Sequence, residues 1–122
     1  MSRFFWVRHG PTHAKGMVGW TDLPADLSDT AQIGWLDREL PREALVVSSD
    51  LVRASATADA IQSERQRLEH DAALREIHFG DWEMKHWKEI EDQERLQAYW
   101  DQPGEVSPPN GESWNAVSLR VS

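Results

Sequence analysis

The chain has 122 residues, enough for one domain with a modest core. Its 21 acidic and 13 basic residues give a formal net charge of −8, which argues against nucleic acid or an anionic membrane as partner, since both need a broad basic face. There is no cysteine, hence no disulfide framework and no thiol nucleophile, so the cytoplasm is the expected compartment; no apolar stretch has the length of a signal peptide or a membrane span.

Phe4-Phe5-Trp6-Val7 is a continuous apolar run, the pattern of a strand covered on both faces of a parallel sheet. It empties directly into Arg8-His9-Gly10-Pro11-Thr12. Residues 10–27, rich in Gly and Pro, predict an irregular loop. Ser28 is the expected N-cap of a helix carrying Ile33, Leu36 and Leu40 at helical spacing, stopped by Pro41. Residues 44–48 predict a second apolar strand, after which Asp50 caps a helix with Leu51, Ala54, Ala58 and Ile61 on one face. Residues 74–79 are a short extended piece or loop, and Trp87, Ile90 and Tyr99 suggest a helix between Met84 and Trp100. Residues 101–110, with three prolines, form a loop, and residues 112–121 begin a helix with Trp114, Val117 and Val121 on one side. Strand, helix, strand, helix implies a parallel α/β sheet with right-handed crossovers. Most of the seven tryptophans are read as packing residues.

The chemistry concentrates where the first strand should end. In an open α/β sheet, the carboxyl ends of the strands form the ligand crevice. A guanidinium beside an imidazole suits a phosphoryl group: Arg8 would bind two phosphate oxygens while a ring nitrogen of His9 attacks phosphorus. On these five residues alone, pairing of Arg8 with a surface acid and packing of His9 on Trp6 fit equally well. His9 and His13 have the helical spacing of metal ligands, but Gly10-Pro11 breaks any helix between them. His70, His78 and His86 are scattered among acids without forming a cluster. No metal and no organic cofactor is therefore expected.

Several stretches, in order, resemble motifs of the histidine phosphatase superfamily, the group that includes cofactor-dependent phosphoglycerate mutases. Arg8-His9-Gly10-Pro11-Thr12 is similar to its signature, and Gly19-Trp20-Thr21-Asp22-Leu23-Pro24 to its glycine-tryptophan-aspartate-proline loop. Ser48-Ser49-Asp50-Leu51-Val52-Arg53-Ala54 with Thr57-Ala58 resembles its second arginine motif. Residues 74–83 resemble its acidic motif, and Gly111-Glu112-Ser113 its third phosphate-side motif. The resemblance covers residues 4–121. It implies a phosphoglycerate mutase-like, three-layer α/β/α fold on a parallel sheet, with residues 1–122 forming the N-terminal two-thirds of the domain.

The resemblance also implies roles. His9 is the nucleophile that becomes phosphohistidine, and Arg8 keeps its ring neutral, because nearby positive charge disfavours imidazolium. Arg8 and Arg53 clamp the equatorial phosphoryl oxygens, Arg53 from the first turn of a helix whose N–H groups point the same way. Glu76, rather than Glu83, is the general acid, with flanking Leu74, Ile77 and Phe79 expected to raise its pKa by partial burial. Gly10, Thr12, Lys15, Gly19, Trp20 and Ser113 complete the phosphate and substrate contacts.

Departures from the family pattern are Pro11 where glutamate is usual, Lys15 where a phosphate-side asparagine is usual, Ala31 for a glycine, and Met84 for the glycine after Trp82-Glu83. The family's second catalytic histidine, in a His-Gly pair after a later strand, would lie beyond Ser122, so a C-terminally incomplete fold and site are expected. The expected activity is hydrolysis of a small phosphorylated metabolite. Phosphoglycerate mutase is the alternative, disfavoured because mutases carry a longer insertion between Glu76 and Glu112. A non-catalytic phosphate-binding module or inactive fragment is a third. An uncovered sheet edge is expected to drive homo-oligomer formation or aggregation.

Overall fold

The computed structural model describes residues 2–122. They fall into two compact units, one of Met1–His13 with Asp22–Ala72, the other of Ala14–Thr21 with Ala73–Ser122.

The first unit carries two helices, α1 (Thr30–Glu39) and α2 (Val52–Gln62). The N-cap of α1 is Asp29, whose carboxylate accepts the Gln32 N–H at 3.1 Å. The predicted cap, Ser28, instead spends its own N–H on Asp26 Oδ1 at 2.9 Å. α1 ends at Leu40, whose extended backbone (ψ 143°) is what a following proline enforces. The cap assigned to Asp50 is also corrected. Leu51 is the N-cap of α2 and offers no side-chain acceptor, and the Val52 N–H is taken at 2.7 Å by Asp22 Oδ1 from a distant loop. α2 buries Ala58 and Ile61 with the capping Leu51, as its spacing predicts, and also buries Arg53 and Thr57. The two helices are tied at their C-terminal ends by Arg65, only 3 % exposed. Its guanidinium pairs with Asp37 at 2.7 Å and donates to the carbonyls of Asp37, Leu40, Pro41 and Ile61 at 2.7–2.8 Å. A cation there satisfies the orphan carbonyls that helix termini leave.

No strand forms among the described residues. The two runs expected as buried strands are corrected: Phe4, Phe5 and Trp6 are 80 %, 49 % and 83 % exposed, and Leu45 and Val47 are also exposed. The second run keeps a trace of sheet, a parallel bridge between Val46 and Arg67. There the Val46 N–H reaches the Gln66 carbonyl at 2.9 Å and the Leu68 N–H reaches the Val46 carbonyl at 2.8 Å. An apolar run becomes a strand only when a neighbour takes its backbone groups and a layer covers its face, and residues 4–7 have no such bridge.

The second unit holds a core of Ile77, Phe79, Trp82, Ile90, Leu96 and Tyr99, with Met17, Val106 and Val117 packed against it. Tyr99 is fully buried, and Trp82 meets its ring edge-on at 5.6 Å. The helix predicted over residues 84–100 is shorter. Met84 turns left-handed (φ 63°), a single 3-10 turn covers Trp87–Glu89, and the α-helix α3 runs only over Gln93–Asp101. Asp92 caps it, accepting the Arg95 N–H at 3.0 Å. The final helix, α4 (Trp114–Val121), starts after rather than at Glu112, because Ser113 is its N-cap. No helix among the described residues is long and apolar enough to cross a membrane.

Candidate active site

Within the first unit, the residue pair that opens the chemistry is built around one turn. Gly10 is packed so closely that a Cβ would lie 2.7 Å from the Asp26 carbonyl oxygen and 2.9 Å from a Leu27 methyl. The half-buried His9 sits just before it, with Nδ1 2.7 Å from the Gly10 carbonyl oxygen. A carbonyl can only accept, so Nδ1 is the protonated nitrogen and a neutral His9 carries its lone pair on Nε2. The Gly10 N–H donates to Thr57 Oγ1 at 3.0 Å, and that hydroxyl donates to the Arg53 carbonyl at 2.7 Å. One threonine therefore fastens the His9-Gly10 turn to the first turn of α2, where Arg53 is 2 % exposed. Asp22 acts on the same helix, since it caps the residue immediately before Arg53.

Arg8 is exposed and Thr12 half-buried. The loop that follows is closed by the Asp26 N–H on the Pro11 carbonyl at 2.6 Å and by His13 Nε2 on Asp26 Oδ2 at 2.8 Å. Hydrogen bonds from Ser28 and from His13 hold the Asp26 carboxyl well below the usual carboxylate range.

Within the second unit, two carboxylates organise the remaining predicted residues. Glu83 accepts from Gly19 N–H (2.9 Å), Trp20 N–H (2.7 Å), Thr21 Oγ1 (2.9 Å) and Phe79 N–H (3.2 Å). Burial alone would raise its pKa, but these donors outweigh it and hold the carboxyl below its ordinary value. Gly19 is required at its position, since a Cβ there would collide with the Ile77 carbonyl and the Glu83 carboxylate. Trp20 in turn donates its indole N–H to the Glu76 carbonyl at 2.8 Å, stacks on His78 at 4.4 Å and carries the Arg75 guanidinium 4.8 Å from its ring.

Glu112 is the second organiser. It accepts the His78 N–H at 2.9 Å and a two-pronged contact from Arg120 at 2.9 Å on each oxygen. Burial opposes ionisation here too, and the Arg120 and His78 donors again win, holding its pKa low. Arg120 continues to the carbonyls of Ala73 (2.6 Å), Arg75 (2.9 Å) and Glu76 (3.3 Å). The backbone of Glu76 is thus pinned by both Trp20 and Arg120.

The surroundings expected for Glu76 are corrected. Ile77 and Phe79 are buried, whereas Glu76 is exposed and its carboxylate accepts only the adjacent Ile77 N–H, at 2.9 Å, among the bonds resolved for it. In an extended segment alternate side chains take opposite faces, so apolar neighbours in sequence do not enclose the residue between them. Ser113 Oγ caps α4 by accepting the Ala116 N–H at 3.1 Å, leaving its proton to donate elsewhere. Lys15 is exposed.

Sequence reasoning gave no role to Asp22, Thr57, Glu112 or Arg120, and considered Glu83 only as a rejected acid. The first three and Glu83 lie inside the quoted motifs, so a signal for them was present. Arg120 carried none.

The histidine phosphatase superfamily (branch 1) matches residues 4–122. The Escherichia coli K12 adenosylcobalamin/alpha-ribazole phosphatase is 35 % identical over 98 % of this chain and 63 % of its own length. The glucosyl-3-phosphoglycerate phosphatase of Mycolicibacterium vanbaalenii is 34 % identical over 91 % of this chain and 52 % of its own. The chain thus spans less than two thirds of the curated relatives it matches. Among solved structures, Bacillus stearothermophilus YhfR superposes with a TM-score of 0.81 at 32 % identity, covering 93 % of this chain and 60 % of that one. TTHB049 from Thermus thermophilus gives 0.73 at 36 % identity, covering 93 % and 65 %. With a fold that superposes on these structures and a family match along nearly its whole length, the chain belongs to the histidine phosphatase superfamily, branch 1.

Proposed function

We propose that the protein is a phosphohydrolase of small phosphate monoesters, working through a phosphohistidine on His9. One contact carries this reading: the 2.7 Å approach of His9 Nδ1 to the Gly10 carbonyl, which leaves the lone pair on Nε2. Nε2 attacks phosphorus in line while the bond to the ester oxygen breaks, and Glu76 protonates the departing alkoxide. Water, deprotonated by the Glu76 carboxylate, then attacks the phosphohistidine and releases inorganic phosphate. Arg8 and Arg53 stabilise the transferring group's oxygens. Choosing Glu76 over Glu83 as acid is supported by the four donors that keep Glu83 ionised. Names of the similar proteins, phosphatases of alpha-ribazole and of glucosyl-3-phosphoglycerate, support hydrolysis over mutase chemistry. The same kinship supports reading residues 1–122 as the N-terminal part of a phosphoglycerate mutase-like domain, with the Val46–Arg67 bridge a remnant of its parallel sheet.

The test is hydrolysis of p-nitrophenyl phosphate with trapping of the acid-labile phosphoenzyme. Turnover should need His9 and survive a chelator, and Glu76→Gln should slow leaving-group departure by about 10²-fold. A His9→Ala variant that still forms a phosphoenzyme, or activity lost to the chelator, would overturn the reading. Phosphate binding without any phosphoenzyme would favour a non-catalytic module.

A further inference from the structure

The chain contains only three lysines, Lys15, Lys85 and Lys88, and Lys15 shares a groove with Lys85 although the two are remote in sequence. Lys15 and Lys85 line a groove of about 470 Å³ in the second unit, together with Met17, Trp87, Leu96 and Trp100. That volume lies within the range of small-molecule sites, roughly 300–1,000 Å³. Lys88 is just beside it, its Nζ 5.4 Å from the centroid of the Trp87 ring. The two lining segments are held together by backbone bonds: Met17 N–H to the Lys85 carbonyl at 3.0 Å and Met84 N–H to the Met17 carbonyl at 2.7 Å.

Two further features define the groove. Trp87 and Trp100 remain 54 % and 51 % exposed, whereas Trp82 in the same unit is buried. The Trp100 ring meets the fully buried Tyr99 edge-on at 5.0 Å, and the Trp87 ring lies tilted against His86 at 5.5 Å. No Asp or Glu lines the groove, in a chain whose net charge is −8. Two lysines and two exposed indoles thus share a groove with no acid among its lining residues, although Glu89 and Asp101 bond to the lining His86 and Gln97. Exposed apolar groups rimmed by one sign of charge mark a ligand face.

We propose that this groove binds small aromatic phosphates, the aromatic body resting on Trp87 or Trp100 and the phosphate held by Lys15 and Lys85. A lysine is a compact point charge on a flexible stem, suited to phosphate oxygens without fixed geometry, and an indole face supplies an area for stacking. The groove shares Lys15 with the phosphate contacts that the family resemblance implies, so the proposal extends that reading to a ligand class, but binding here needs neither the His9 nucleophile nor a phosphoenzyme.

The probe is 1-naphthylphosphonate, whose carbon–phosphorus bond resists hydrolysis, titrated calorimetrically into the 122-residue chain with methylphosphonate as the non-aromatic control. The naphthyl compound should bind the native chain and a His9→Ala variant equally, within about two-fold. Trp87→Ala and Lys85→Met should each weaken it by about five-fold or more, since each removes one stacking or charge contact. Methylphosphonate should bind more weakly and ignore Trp87→Ala. In nitrogen-15 spectra of the native chain, the Trp87 and Trp100 indole resonances should move during the titration, a readout that stands even if a variant folds poorly. Equal affinity for both phosphonates, indifference to both groove substitutions with unmoved indoles, or loss of binding in His9→Ala would overturn the groove. Because none of these measurements involves turnover, a groove that binds in a protein without a phosphoenzyme would fail the hydrolase reading alone.

Discussion

The segments 4–7 and 77–82 are both rich in aromatic residues, yet they meet opposite fates. Phe4 and Trp6 stand 80 % and 83 % exposed, while Ile77, Phe79 and Trp82 are at most 8 % exposed. By composition the first is the better strand, so hydrophobicity does not separate them. Their backbones do. The second segment is gripped by Glu83 on the Phe79 N–H, by Glu112 on the His78 N–H and by the Pro109 carbonyl on the Asp81 N–H. The first has no β-bridge among the described residues. Apolar side chains are buried where the adjacent backbone polar groups have partners, because burying an unpaired peptide group costs more than most side chains return.

The sharpest way to break this comparison is to truncate one tryptophan in each segment and measure urea denaturation. Trp82→Ala should cost about 3–5 kcal/mol through lost burial and a cavity against Tyr99. Trp6→Ala should change stability by no more than about 0.5 kcal/mol and should reduce self-association, because the exposed run invites pairing with another copy. Similar losses at both positions would mean that residues 4–7 are covered in solution, and that the contrast is false.

Next in size is the grip itself. Glu83→Gln keeps the shape but replaces a charged acceptor of four donors, and should cost about 2 kcal/mol. The pH dependence follows from the same bonds. Glu83 and Glu112 both have folded pKa values below the ordinary 4.5. The folded state therefore binds fewer protons than the unfolded chain below that pH. The stability they contribute is fully present above about pH 4.5 and is lost as the pH falls through their lower folded values. Thermal melts from pH 6 to pH 3 should show this decline, and Glu83→Gln should flatten it. An unchanged slope would mean that other carboxylates carry the acid transition.

Legibility in the sequence follows the same line. The buried face of α2, with Leu51, Ala58 and Ile61, was legible from spacing, because a helix satisfies its own backbone and needs only one apolar stripe. Strand burial was not legible, since it depends on partners elsewhere. Caps moved for a related reason: Ser28 and Asp50 were sound candidates, but the donors were taken by Asp29 and by Asp22, a residue remote in sequence from α2. At the site, the resemblance of the motifs named His9, Arg8, Arg53 and Glu76. Thr57 and Trp20 lay inside the quoted motifs, but their bonds to the Gly10 N–H and the Glu76 carbonyl are long-range and not encoded locally. Arg120, which also reaches the Glu76 carbonyl, carried no signal at all.

Asp22 offers a test in the first unit of whether a remote carboxylate matters as much there as in the second. Asp22→Ala removes the carboxylate that accepts the Val52 N–H at the start of α2 and should cost about 1 kcal/mol, the usual value of a cap. Because the next helical residue is Arg53, phosphate affinity should fall along with the melting temperature, whereas truncating Asp29 at α1 should lower the melting temperature alone. Equal loss of phosphate affinity from both caps would separate Asp22 from the arginine.

The smallest effect expected is a gain. Met84 stands where the family usually has glycine, and its φ of 63° places it in the left-handed region that costs a side-chain-bearing residue about 1–2 kcal/mol. Its side chain is 46 % exposed and therefore recovers little of that cost by packing. Met84→Gly should relieve the strain, offset in part by the extra freedom glycine brings to the unfolded chain, for a net stabilisation of about 0.5–1 kcal/mol. The backbone bonds that join Met84 and Lys85 to Met17 do not involve the replaced side chain, so the segment pairing should persist. A strained residue kept beside a ligand groove is expected where the strain serves binding. If so, Met84→Gly will melt later yet bind 1-naphthylphosphonate more weakly. If the methionine is merely tolerated, the variant will gain stability and keep its affinity. A loss of stability would show that Met84 packs in solution, and would remove strain from the account of this turn.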